Sequence, residues 1–339
     1  MERSFRGHPQ GDDKYRTVVQ LIPDSTAARI PSMPTQEQLS TTRFGVINSI
    51  TASVLFAVMY FYATLLAPMD GAQIYGWRIL VTLPFLTGLM LLTGRAQLIA
   101  SVWRRALAQP ALWLALLATS ALLGVQLWLF MWAPVSGHAL SVSLGYFLLP
   151  LTLAVTGRVV FKERLSRFQR LALLFAALGI ANELIFAPAV SWPTFVVALG
   201  YPLYFVLRKR IGTNHLGGIW FDMALSLPVA IWFMGNPSVS AVGILPSAMH
   251  GVMILGLGIL SAASLACMIS ASLQLSLGLF GLLSYVEPAL LVVVALLIGE
   301  RIDPSQWLTY LSIWAAILVL IVEGCRSLRQ WPAKAAPVK

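Results

Sequence analysis

Charge is what this sequence has least of. Charged residues make up 11% of the 339-residue chain, against about 25% in ordinary soluble domains. Cysteine is nearly absent too: only Cys267 and Cys325 occur, which excludes a disulfide framework. The four histidines (His8, His138, His215 and His250) are scattered without metal-ligand spacing. No GxGxxG, GxxxxGK(S/T), HExxH or GxSxG run is present, so nucleotide binding and the common hydrolytic chemistries lack their motifs. No cofactor or metal is therefore expected, and the chain is not expected to be an enzyme.

What remains is apolar. Hydrophobic residues reach 58% and the mean hydropathy is +0.80. Length alone would suggest one to three soluble domains, but runs of roughly 20 apolar residues read as membrane spans. Ten are predicted: about 44–66, 72–93, 111–132, 139–160, 168–187, 193–208, 216–234, 249–272, 277–298 and 305–323. Only structures that satisfy their own backbone hydrogen bonds cross lipid, so each should be a helix. Residues 1–43 carry Pro9, Pro23, Pro31, Pro34 and mixed charges, which predicts a mobile cytoplasmic tail. Residues 325–339 form a second, basic tail.

The formal net charge of +10 would fit a nucleic-acid binder, but its placement does not. With the N-terminus inside, 21 of the 23 Lys and Arg residues fall on inner segments. Arg301 alone lies outside, and Arg78 lies within a span. That asymmetry predicts a multi-pass protein of the bacterial inner membrane with both termini cytoplasmic. The basic loops set topology and lie against anionic lipid, and no nucleic-acid partner is implied.

The spans repeat. "WRILVTLP" (77–84) aligns with "FDMALSLP" (221–228), which places Arg78 opposite Asp222 and Pro84 opposite Pro228. "SLGYFLLPLTLAVTGRVVFKER" (143–164) aligns with "GLLSYVEPALLVVVALLIGER" (281–301). The fold expected is all-α, with ten transmembrane helices as two inverted five-helix repeats, 44–187 and 193–324. Inverted repeats of this kind mark secondary transporters, whose sites lie near the midplane between the halves.

"SLGYFLLPL", "KERLSRFQRLALLFAALGI" and "GLLSYVEPALLVVVALLIGERI" resemble the drug/metabolite transporter superfamily. Within it the match is to EamA-type permeases, nearest the RarD group of chloramphenicol-sensitivity proteins, and "WRIL" fits that group. The resemblance spans about residues 44–324. It implies a ten-helix inner-membrane permease with helices one to four and six to nine around a central cavity. The substrate it implies is a small metabolite or drug-like compound such as an amino acid, moved outward. The group usually has an apolar residue before the span-nine proline, where this chain has Glu287.

An ionisable side chain at the centre of a membrane costs roughly 2.5–3.5 kcal/mol on insertion scales, so it should face a cavity or a partner. Arg78 shares a helix face with Tyr75, Thr82 and Phe85. It reads as a carboxylate site, as one half of a buried ion pair, or as a group snorkelling to the outer interface. Glu287 shares its face with Ser284, Phe280 and Leu291. It reads as a proton- or cation-responsive carboxylate or as a static partner for Arg78. Asp222, near Arg208, Lys209 and Arg210, reads first as an inner-side charge pair. Asn48 with Thr51, Gln126, and Ser143 with Tyr146 either line a pore or bond between helices; Tyr146 is favoured as cavity lining because its repeat counterpart is Ser284. The substrate or ion candidates are thus Arg78, Glu287, Tyr146, Asn48, Gln126, Ser284, Asp222 and Tyr75. Prolines at 84, 150, 202, 228 and 288 interrupt spans, either to let helices bend or as ordinary membrane residues. Trp77, Trp103, Trp132, Trp192 and Trp331 fit interfacial anchors. The expectation is a secondary carrier, monomeric or homodimeric, with protons as a candidate coupling ion. A membrane enzyme acting on lipid-linked substrates and a channel-like protein are the alternative classes.

Overall fold

The computed structural model describes residues 36–160, 162, 166–186, 191–235, 248–275, 280 and 283–333. The expected tails at 1–35 and 334–339, the residues 161 and 163–165, and parts of "GLLSYVEP" lie outside the described residues. Those described form eleven α-helices: α1 Gln36–Leu65, α2 Gly71–Leu92, α3 Gln97–Ala108, α4 Ala111–Trp132, α5 Ala139–Val160, α6 Arg167–Phe186, α7 Trp192–Arg210, α8 Leu216–Gly235, α9 Ala248–Gln274, α10 Val286–Leu297 and α11 Trp307–Ala333. No strand occurs among the described residues.

Local chemistry sets many of the helix ends. Asp70 opens α2, its carboxylate accepting from the Ala72 and Gln73 amides at 2.9 and 2.8 Å. Pro193 sits in the first turn of α7, where its missing N–H is not needed. Gly299, at φ +94°, and Gly212, at φ +63°, turn the chain out of α10 and α7 in a conformation that disfavours side chains.

Among the described residues, seven segments are long and apolar enough to cross a membrane: Thr42–Leu65, Gly71–Leu92, Ala111–Val135, Ala139–Val160, Leu216–Gly235, Met249–Gln274 and Pro304–Val322. The outward faces carry large exposed apolar side chains, among them Phe44, Leu114, Leu174, Leu203, Val252 and Leu318. Soluble monomers rarely expose so much apolar surface, and it suits a face turned to lipid. Small and polar groups such as Ser49, Ser143, Ser261 and Ser264 are turned inward instead.

Two features depart from the sequence expectation. The loop expected between spans two and three holds α3, a short helix with Val102 and Ala106 buried and Trp103, Arg104 and Arg105 exposed. That is the pattern of a helix lying along an interface. The other is the expected ninth span, 277–298. Phe280 and Leu283 are helical, a turn follows at Ser284–Tyr285, and α10 then covers the twelve residues Val286–Leu297, with 276–279 and 281–282 outside the described residues. Pro288 therefore falls in the first turn of α10, where proline is tolerated, and does not interrupt a helix. Pro84, Pro150, Pro202 and Pro228 do lie inside their helices.

The helices pack in a definite order. α1 lies against α9 and α10; α2 against α8, α9 and α4; α5 against α7 and α10; α4 against α7 and α8; and α6 against α11. One core cluster runs through the bundle, with Met59, Tyr60, Ile79, Leu129, Leu144 and Leu291 among its members.

Candidate functional site

Arg78 stands at the convergence of α2, α4, α5, α7, α9 and α10. Its side chain is only 2% exposed, so it does not snorkel to an interface. Nε donates to Ser261 Oγ of α9 at 3.2 Å. The guanidinium lies over the Phe130 ring of α4, 5.4 Å from its centroid, in cation–π geometry. Nη1 has no hydrogen-bond partner among the described residues. A buried guanidinium with a free N–H is a costly group unless something accepts from it.

Around it stand groups that can hold a ligand. Tyr146 of α5 and Tyr201 of α7 share a hydrogen bond between their hydroxyls at 3.0 Å. Phe130 meets the Tyr146 ring edge to face at 6.0 Å. Tyr75, one turn before Arg78, packs against Phe233 of α8. Tyr75, Tyr146, Tyr201 and Glu287 all lie within electrostatic reach of Arg78. Glu287 forms no ion pair or hydrogen bond among the described residues, so the expected static pair with Arg78 is not formed in this state. Glu287 lies deep in the bundle, and the residue as a whole is half-buried. It occupies the second position of α10, where the unpaired amides at the helix start favour negative charge. By helical rise it is about 15 Å from the far end of α10, half a membrane thickness.

The other candidates fall elsewhere. Asp222 belongs to a separate buried knot joining α4, α7 and α8. Its carboxylate accepts from Thr119 Oγ1 at 2.6 Å and Tyr204 OH at 2.9 Å, and Oδ2 lies 3.3 Å from Arg208 Nη1. Arg208 donates through Nη2 to the His215 carbonyl at 3.0 Å and stacks over Tyr204. Gly218 leaves room for the guanidinium: a Cβ there would collide with it and with the Thr213 carbonyl. This is the charge pair expected for Asp222, fully buried. Just outside span seven, burial and the nearby Arg208 and Arg105 push the His215 imidazole below its ordinary 6.5.

Gln126 bonds between helices, donating to the Val196 carbonyl of α7 at 2.9 Å, and Gly200 is the residue that lets its amide in. Asn48 is half-buried on α1, where Thr51 faces outward, and among the described residues it bonds to none of the groups around Arg78. Ser284 lies in the turn before α10, its amide donating to Phe280 O at 3.0 Å. Phe85 and Pro84 face outward, so the Arg78 face closes at Thr82.

Sequence reasoning missed Tyr201, Phe130 and Ser261 at the site, and Tyr204 and Thr119 in the knot. Tyr201 carried a signal, a tyrosine beside the in-span Pro202. Phe130 and Ser261 carried none, because an aromatic or a serine in an apolar run is common.

No profile of a known protein family matches the chain. Individual relatives do. An uncharacterized transporter of Pasteurella multocida is 38% identical over 84% of this chain and 98% of its own length. The chloramphenicol-sensitive protein RarD of Pseudomonas aeruginosa is 39% identical over 84% of this chain and 96% of its own. Protein RarD of Escherichia coli is 26% identical over 85% and 97%. A solved crystal structure, described only as that of a protein, shares the fold with a TM-score of 0.54 at 18% identity. It covers 83% of this chain and 98% of its own.

Proposed function

The chain belongs to the RarD family of multi-pass membrane transporters, and from that premise we propose that it is a secondary carrier working by alternating access. In this reading ten helices cross the inner membrane as two inverted five-helix halves, α3 lies along the surface, and both termini are cytoplasmic. The packing order supports it. Exchanging the halves turns α1 against α9 into α7 against α4, α5 against α7 into α10 against α1, and α2 against α9 into α8 against α4. Each exchanged contact is itself present, while α2 with α8, α5 with α10 and α6 with α11 map onto themselves.

The observation that carries the reading is the buried Arg78 guanidinium, its Nη1 without a partner among the described residues, within electrostatic reach of the half-buried Glu287. A guanidinium donor, a carboxylate and an aromatic wall of Phe130, Tyr146 and Tyr201 suit a small amphoteric compound such as an amino acid, or a drug-like molecule with a polar and an aromatic part. Its carboxylate or other acceptor takes the free Arg78 N–H, and its cationic or donor end takes Glu287. Glu287 is also the group placed to carry a proton as the cavity changes sides, moving substrate outward.

The test is transport in proteoliposomes. Substrate should accumulate against its gradient when a pH gradient is imposed, which neither a passive pore nor an enzyme produces. Arg78→Lys, which keeps the charge but loses the fork, should raise KM at least tenfold. An unchanged pH response in Glu287→Gln would remove the proton role.

A further inference from the structure

A cavity of about 250 Å³ opens at the end of the bundle where α5 begins and α6 and α10 finish. Glu183, Glu300, Arg301, Ser141, Ser191 and Tyr310 line it. Under the positive-inside reading it faces the outside. It shares no residue with the Arg78 site.

Its two carboxylates are in different conditions. Glu300 is committed: its oxygens accept from the Ala139 and Leu140 amides at 2.6 and 2.7 Å, so the start of α5 neutralises it. Glu183 is not. It is 2% exposed, Oε1 accepts from Gln306 Nε2 at 3.1 Å, and Oε2 has no partner among the described residues. An ionised oxygen held out of water with nothing donating to it is unstable unless a positive charge is supplied. Arg301 does not supply it: its side chain is exposed at the rim, and no ion pair joins it to Glu183. Tyr310 lies within electrostatic reach of both carboxylates, and the Ser141, Ser191 and Tyr310 oxygens offer hard ligands of the kind that oxygen-seeking cations take.

We propose that this cavity is a binding site for a small cation, an inorganic ion or a compact ammonium, with Glu183 as its principal ligand. Glu183 and Gln306 tie the site to α6 and the α10–α11 connection, and Glu300 ties it to α5. A bound cation would therefore brace one end of the bundle and make its stability respond to the outer medium. Arg301 at the rim opposes binding and keeps it weak.

The experiment is a melting series on the purified protein at constant ionic strength. N-methyl-D-glucamine chloride is replaced stepwise by sodium, potassium, calcium or methylammonium chloride. A saturable rise of several degrees with one of the first three identifies an inorganic ion, and with methylammonium an organic one. Glu183→Gln should abolish the rise while keeping the Gln306 contact. Arg301→Gln, an exposed change that leaves the core intact, should lower the half-saturating concentration several-fold, so the proposal stays testable even if Glu183→Gln fails to fold. Arg78→Ala should leave the rise unaltered, which separates this site from the transport site. The proposal is overturned if no cation stabilises beyond N-methyl-D-glucamine, if the rise survives Glu183→Gln, if it is lost in Arg78→Ala, or if Arg301→Gln leaves the half-saturation unmoved. It is also overturned if Glu183→Gln is more stable than the parent in every salt, for then the carboxyl is held neutral and needs no ion.

Discussion

Breaking the Asp222 knot should show how much of this fold rests on one buried charge. Asp222 is 0% and Arg208 1% exposed, so neither ion has water to fall back on. In Asp222→Ala the Thr119 and Tyr204 hydroxyls lose their acceptor, worth about 0.6 kcal/mol each by the average for bonds between membrane helices. The larger loss is Arg208, left buried without its counter-ion; removing one partner of such a pair costs roughly 3–5 kcal/mol. Arg208 Nη1 lies 3.3 Å from Oδ2 but has no hydrogen-bond partner among the described residues, and Nε has none among them either. That favours the lower end of the range. The total is about 4 kcal/mol, on the order of a 10³-fold shift in the unfolding equilibrium. Asp222→Asn, which keeps an acceptor, should lose somewhat less. Asp222→Leu with Arg208→Met removes both charges and should sit within about 1.5 kcal/mol of the parent. The assay is SDS-titrated unfolding in bicelles for the two single variants and the double. Coupling energies between contacting residues run to about 3 kcal/mol, and a coupling of that size is expected here. Single variants within about 1 kcal/mol of the parent, or strictly additive ones, would refute the claim that this pair holds α4, α7 and α8 together.

Three further outcomes are expected. Gly218→Ala should destabilise by roughly 1–3 kcal/mol, since its Cβ meets the Arg208 guanidinium and backbone; the loss should shrink in an Arg208→Met background, read by the same titration. Glu300→Gln keeps only one acceptor for the two α5 amides and should cost about 1 kcal/mol, with faster hydrogen exchange at Ala139 and Leu140. His215, lowered from 6.5 in the fold, is held neutral there and protonates more readily in the unfolded chain. Its contribution is therefore present above about pH 6.5 and lost as pH falls below that value, and melting curves of His215→Gln between pH 5 and 8 should lose that part of the slope.

The helices were legible because long apolar runs have few alternatives. The α3 helix was not, because its spacing of Leu98, Val102 and Ala106 is short and competes with two arginines. The break before α10 was hidden for a different reason: Ser284 and Tyr285 are compatible with a helix, and tertiary packing decides. Arg78 and Glu287 drew attention through the cost of charge in lipid, a property of each residue alone. What surrounds them is a property of pairs far apart in the chain. Arg78 meets Ser261, 183 residues on, and no periodicity reports such a meeting. The Asp222–Arg208 contact was easier to foresee, because Arg208 is near Asp222 in sequence as well as in space.

In the proposed two-repeat arrangement Arg78 and Asp222 occupy matching places and carry opposite charge. In the state described here Asp222 is fully engaged and Arg78 is half free. In a cycle that exchanges the roles of the two halves, α2 would have to take up the surroundings that α8 has now, with a cation where the anion stands. The two end states then cannot be equal in energy. An empty carrier of this kind rests on one side of the membrane, by about tenfold in population for each 1.4 kcal/mol of difference. In the proposed cycle, substrate meeting the free Arg78 donor would redress that balance, so the charge asymmetry between two matching helices would set the side on which the carrier waits.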